Sequence, residues 1–219
     1  MPDSADHSDP GGSLQWPLPQ PLPVAEAPLR LAVMASGAGT NLEALARACG
    51  EGRLHGQVVV LAVNRADCGA RARAERLGIP CQVLDHRHQP SREALDGALI
   101  RLFEAHRVDL VVMAGWMRIV TPVLIEAFPE RLVNIHPSLL PSFRGADGVG
   151  QALAAGVTLA GCTAHLVTAE VDAGPILVQA AVPVLAGDDR ERLHARIQHQ
   201  EHRILPLAVS LAARRLAQG

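Results

Sequence analysis

The chain contains no lysine and no tyrosine, and all 20 of its basic residues are arginine. These absences remove whole classes of chemistry. A Walker-type phosphate lysine, a Schiff-base lysine and a Ser-Tyr-Lys dehydrogenase group are all excluded. Aromatics are scarce too, at 2% of residues, so Leu, Val, Ile and Ala must fill any core. No apolar run approaches the roughly 18 residues needed to cross a bilayer, and no membrane partner is expected. A net charge of -2 lacks the basic excess of a nucleic-acid binder. Chemistry is left to His, Asp, Glu, Asn, Arg, Ser and the backbone.

Cysteine is sparse and scattered. Cys49, Cys68, Cys81 and Cys162 form neither a C-x-x-C pair nor a zinc spacing, so free thiols in a reducing cytoplasm are expected. The run Asp85-His86-Arg87-His88 resembles a metal cluster but has no third ligand nearby. It reads as a polar loop after a strand, and no metal is expected.

What is present suits one α/β domain: 219 residues, 48% of them hydrophobic. Residues 1–28 are rich in Pro, Asp, Ser and Gly and read as a disordered tail with polyproline character. Their early Asp residues fit neither a secretory signal nor a transit peptide. Residues 29–219 read as the single domain. Apolar runs at 31–35, 58–63, 79–84, 110–114 and 132–135 predict strands, separated by helical spacings such as Leu42, Leu45, Ala46 and Cys49. Continuous apolar strands belong to a sheet buried on both faces. The fold class expected is a Rossmann-like, mostly parallel twisted sheet with helices on both faces. Two late runs, 162–167 and 176–184, predict antiparallel strands at its carboxyl-terminal edge. Asp188-Asp189-Arg190-Glu191 has capping-box form and opens a long last helix, which Pro206 should bend.

Four stretches carry candidate chemistry. Ser36-Gly37-Ala38-Gly39-Thr40-Asn41 joins the first predicted strand to its helix, where free N–H groups and the helix dipole favour an anion. Position 42 is Leu rather than a third glycine, and Asn64 stands where a dinucleotide site needs an acid, so a phosphate monoester fits better than a pyrophosphate. An ordinary βα turn would account for this motif equally well alone. Asn134 and His136, two apart at the end of a strand, face one point, where an amide and an imidazole can stabilise an oxyanion and move a proton. Asp172, in Val171-Asp172-Ala173-Gly174-Pro175, is either a plain turn residue or a charge partner for a histidine. In the last helix Glu201 lies within the apolar stripe, with Gln198 on the same side. A carboxylate there needs a partner, unless it lies on the wet margin of the stripe.

Together, SGAGTNL, SREALD, AGWMRIV, NIHPSLLPSF, GCTAHLVT, VDAGPILVQ and QHQEHRILP resemble the glycinamide ribonucleotide transformylase family of purine synthesis across about residues 29–216. The resemblance implies formyl transfer from 10-formyltetrahydrofolate to the amine of phosphoribosylglycinamide, without a metal. It assigns Gly39, Thr40 and Asn41 to the substrate phosphate, and Gln198 and Glu201 to the ribose or glycinamide end. Arg92 would meet the folate glutamate tail, Met117, Arg118, Ile119 and Val120 would line the pterin pocket, and Thr168, Ala169, Glu170 and Val171 would complete the folate wall. Asn134, His136 and Asp172 would form the catalytic group, with Asn134 and Asp172 also touching folate. Partners are then small molecules, in a cytoplasmic monomer or homodimer. Ala146-Asp147-Gly148-Val149-Gly150 departs from the family pattern and is expected to be a flexible loop. Methionyl-tRNA formyltransferase shares part of the pattern but adds a nucleic-acid-gripping domain, whereas formyltetrahydrofolate hydrolase uses water as acceptor. A phosphate-metabolite sensor would leave Asn134, His136 and Asp172 unexplained.

Overall fold

A computed structural model of the chain describes residues 14–17 and 27–218. Eight strands form one sheet, in the order β1-β8-β7-β6-β5-β2-β3-β4. In chain order these are β1 (Leu14–Trp16), β2 (Leu29–Ala35), β3 (Gly56–Val63), β4 (Cys81–Val83), β5 (Leu110–Met113), β6 (Leu132–His136), β7 (Leu159–Leu166) and β8 (Ile176–Pro183). Strands β2 to β6 pair in parallel. Pairing turns antiparallel at β6–β7 and stays so through β8 and β1. The helices are α1 (Thr40–Gly50), α2 (Gly69–Arg76), α3 (Arg92–Ala105), α4 (Pro122–Ala127), α5 (Gly148–Ala154) and α6 (Arg190–Leu216). None of the described helices is long and apolar enough to cross a membrane.

The apolar runs produce two cores because alternate side chains of a strand face opposite ways. From β2, Leu31, Val33 and Ala35 enter a cluster with Leu42 and Leu45 of α1 and Ile197 and Ile204 of α6. Ala32 and Met34 enter another with Leu99 and Phe103 of α3 and Leu124 of α4. The few aromatics are placed where they count, and Phe103 meets Phe128 edge to face at 5.8 Å. Helix starts follow their caps. Ser91 accepts from the Ala94 N–H at 3.1 Å, and Asp189 from the Arg192 N–H at 2.8 Å. Pro206 lies inside α6, which runs on to Leu216.

Two expectations need correction. Leu14–Trp16, inside the segment read as a disordered tail, pairs as a strand on Gln179–Ala181 of β8. The edge of β8 offers unpaired backbone groups, and pairing them outweighs the weak local preference of the tail. The remainder of that tail, apart from residues 17, 27 and 28, lies outside the described residues. The glycine-rich segment after Arg144 is not simply a loop, because α5 begins at Gly148. Asp147 caps α5 by accepting from the Gly150 N–H at 3.0 Å. Gln151 Nε2 donates to the carbonyls of Arg144 and Ala146 at 3.2 and 2.8 Å and ties the turn down.

Candidate functional site

In an open α/β sheet, ligands bind at the carboxyl ends of strands where the strand order reverses. Here that reversal lies between β2 and β5, since β3 and β4 build away on one side and β6 on the other. A cavity of about 1010 Å³ opens at this point. Ligand sites commonly measure roughly 300–1,000 Å³, so there is room for more than one small molecule. The glycine loop after β2, the segment after β5, the end of β6, the turn after β7 and one face of α6 form its walls. Every residue assigned to the substrate, folate or catalytic group from the sequence lies on these walls except Arg92. Arg92 is exposed at the start of α3.

The catalytic candidates converge although they are far apart in the chain. His136 Nδ1 stands 3.5 Å from Asp172 Oδ2, and both side chains are buried. His136 Nε2 lies 2.9 Å from the Phe143 carbonyl. A carbonyl only accepts, so Nε2 carries a hydrogen, while Nδ1 faces a carboxylate. The ring therefore lies between two acceptors. Asn134 Nδ2 donates to Asp172 Oδ1 at 3.4 Å.

Asp172 is fixed by the hairpin between β7 and β8, with a left-handed φ of 52°. Only a glycine allows that hairpin to fold back, because a Cβ at Gly174 would sit 1.8 Å from the Leu166 carbonyl oxygen. Burial works against the Asp172 charge. Hydrogen bonding from the His165 side and from the Gly145 N–H, with the positive field of the two imidazoles, outweighs it and holds the carboxyl below its ordinary range.

His165 was not singled out from sequence. It is buried on β7, opposite Asn134 in the β6–β7 register. Its Nδ1 lies 2.8 Å from the Leu166 carbonyl, and its Nε2 lies 3.1 Å from Asn134 Nδ2 and 3.5 Å from Asp172 Oδ1. The available signal was a histidine within an apolar strand, but its neighbour is fixed only by strand pairing. Ser36 was passed over as part of the glycine loop. Its Oγ accepts from the Met117 N–H at 2.9 Å and joins the loop to the segment after β5. Asp96 also went unnoticed; it is buried and accepts from the Thr121 N–H and hydroxyl at 2.6 and 2.8 Å. That bond anchors the far end of the Met117–Val120 wall.

At the other end of the cavity, Glu201 is buried and accepts from Asn41 Nδ2 at 2.8 Å. Burial pushes its carboxyl above the ordinary value, against the opposing pull of Asn41 and of the His194 and His136 charges. A carboxyl raised on folding stabilises the protein least at high pH, because its contribution is lost as pH climbs from the ordinary value through the folded one. Glu201→Gln, with no charge to bury, is expected to raise Tm relative to the parent, increasingly so across that interval. The gain should be about 2–4 °C per kcal/mol relieved. Thermal melts between acid and mildly alkaline pH measure this, and a pH-independent difference would contradict the burial argument.

Among the described residues no group of three or more His, Cys, Asp or Glu side chains is placed to hold a metal ion. His86–His88 forms a short 3-10 turn capped by Asp85 rather than an open loop.

Comparison with known proteins agrees with this architecture. A family profile described as formyl transferase matches residues 29–209. Phosphoribosylglycinamide formyltransferase of Mycobacterium tuberculosis is 45% identical over 200 residues, covering 91% of each chain. The trifunctional purine biosynthetic protein adenosine-3 of Gallus gallus is 43% identical over 84% of this chain, which spans only 18% of that protein's length. Among solved structures, glycinamide ribonucleotide transformylase 1 of Symbiobacterium toebii superposes with a TM-score of 0.83 at 49% identity, covering 85% of this chain and 88% of that one. With the family profile matching residues 29–209 and the fold and most of the chain length in agreement, this chain belongs to the formyl transferase family.

Proposed function

We infer that residues 29–219 form one catalytic domain that moves the formyl group of 10-formyltetrahydrofolate to the amine of phosphoribosylglycinamide, as a cytoplasmic enzyme of purine biosynthesis. The observation that carries this reading is the convergence of Asn134, His136 and Asp172 on a cavity that also receives the glycine loop. The residues present fit a folate co-substrate. Val120 is buried beside exposed Met117 and Ile119, giving an apolar slot for a flat ring, and Thr168–Val171 close the opposite side. Gln198 and Glu201 offer polar groups to the sugar or amine, and Gly39–Asn41 offer backbone donors to the phosphate. Exposed Arg92 is assigned to the glutamate tail, which extends beyond the cavity.

In the reaction the substrate amine forms a bond to the formyl carbon, and the bond from that carbon to the folate nitrogen breaks. The proton released by the amine ends on the departing nitrogen. Asn134 and His136 donate to the oxygen that gains charge between these events. Asp172 faces Nδ1 of the imidazole and orients the ring. For His136 Nε2 to donate to that oxygen, the oxygen must replace the Phe143 carbonyl as its acceptor. Much of the acceleration comes from holding both reactants in line.

The decisive assay uses the purified chain with 10-formyltetrahydrofolate, following folate absorbance with and without the ribonucleotide. The expected change depends on the amine and yields formylated ribonucleotide. Folate consumption that ignores the amine would identify a hydrolase instead. Ribonucleotide binding with no formyl consumption would leave a sensor.

A further inference from the structure

The carbonyl and N–H of one peptide unit point in opposite directions, so whatever holds the carbonyls of a loop decides where its N–H groups aim. In the glycine loop after β2 the carbonyls are held from behind. The Ala70 N–H donates to the Gly37 carbonyl at 3.0 Å, and the Glu43 N–H donates to the Gly39 carbonyl at 3.2 Å. The carbonyl between them, that of Ala38, accepts from Arg73 Nε at 2.9 Å. Two of these three holds come from α2. The partner N–H groups, on Ala38, Gly39 and Thr40, are thereby turned away from these holds, and the three residues line the cavity.

Close approach of α2 is built into the sequence. Gly39 has φ +80°, and a Cβ there would lie 2.5 Å from Ala70 Cα. A Cβ on Gly69 would lie 3.1 Å from the Ala38 carbonyl oxygen. The loop end of α1 has no side-chain cap. Asn41, beside it, is buried with its Oδ1 lacking a partner, an acceptor that a ligand hydroxyl would satisfy.

Arg73 does a second thing. It makes an ion pair with Glu43, the carboxylate in the first turn of α1. An unpaired carboxylate in that turn would compete with an incoming anion for the same positive field. Arg73 itself is absent from the cavity wall.

We propose that Arg73 is a positioning residue for capture of the substrate phosphate, acting through the Ala38 carbonyl and Glu43 without touching the anion. This rests on the assignment of the glycine loop to a phosphate ester. The test uses the full chain with Arg73→Met and Arg73→Lys, inorganic phosphate as calorimetric probe, and steady-state kinetics for both substrates. Arg73→Met is expected to weaken phosphate binding and raise the ribonucleotide KM, each about tenfold, with kcat and the folate KM changed by no more than about twofold. Arg73→Lys, which can still pair with Glu43, should recover part of the loss. Unchanged phosphate affinity in Arg73→Met would overturn the proposal. So would parallel damage to both KM values with a lowered Tm, which marks a merely structural residue. A wild-type chain that binds phosphate but forms no formylated product would refute the proposed function alone, and the phosphate titrations would still decide the role of Arg73. A wild-type chain that does not bind phosphate would refute this inference.

Discussion

His136→Ala is expected to lower kcat by on the order of 100-fold or more, the scale of losing one donor to a developing oxyanion. The substitution removes the ring that lies between Asp172 and the Phe143 carbonyl. It leaves the glycine loop and the Met117–Val120 wall untouched, so both KM values should hold near those of the parent. Steady-state kinetics at saturating folate, with a melt to confirm folding, read this directly. Turnover close to wild type would remove the imidazole from the chemistry.

Asp172→Asn acts on the partner rather than the donor. Its carboxyl receives the Gly145 N–H at 2.8 Å and faces both His136 and His165. Hydrogen bonds to charged groups contribute about 1.5–3 kcal/mol, so a loss of roughly 10- to 100-fold in kcat is expected. The variant also has a pH signature. Because the folded Asp172 carboxyl lies below its ordinary value, its stabilising contribution is complete above the ordinary carboxylate range and is lost as pH falls through the folded value. Parent and variant should therefore differ in Tm at neutral pH and converge in strong acid. A gap that persists unchanged into acid would show that the charge of Asp172 is not what stabilises this region.

The parallel half of the fold was legible because its strands are continuous apolar runs and its helices keep a helical apolar stripe. Several short elements were not. Helix α4 has six residues, too few for a period to emerge, and starts on the Thr121 cap with Pro122 just inside. Helix α5 is hidden by its glycines and exists through ties to Asp147 and Gln151. Strand β1 is specified by the edge it pairs with, not by its own residues. For the site, Asn134 and His136 could be placed together from two-residue spacing alone. Their meeting with Asp172 could not, since it depends on the β6–β7 register and on the hairpin that follows. His165 escaped notice for the same reason, and an imidazole in a buried strand has no local mark of purpose.

The changeover from parallel to antiparallel pairing falls inside the site. Asn134 and His136 end the last parallel strand, and Asp172 arrives on the antiparallel hairpin. Under the proposed assignment, anion capture belongs to the β2–α1–α2 unit, whereas the catalytic group is assembled only where the antiparallel hairpin brings Asp172 to the end of β6. A lineage could exchange the hairpin and alter the chemistry while the handle that grips the substrate stayed the same.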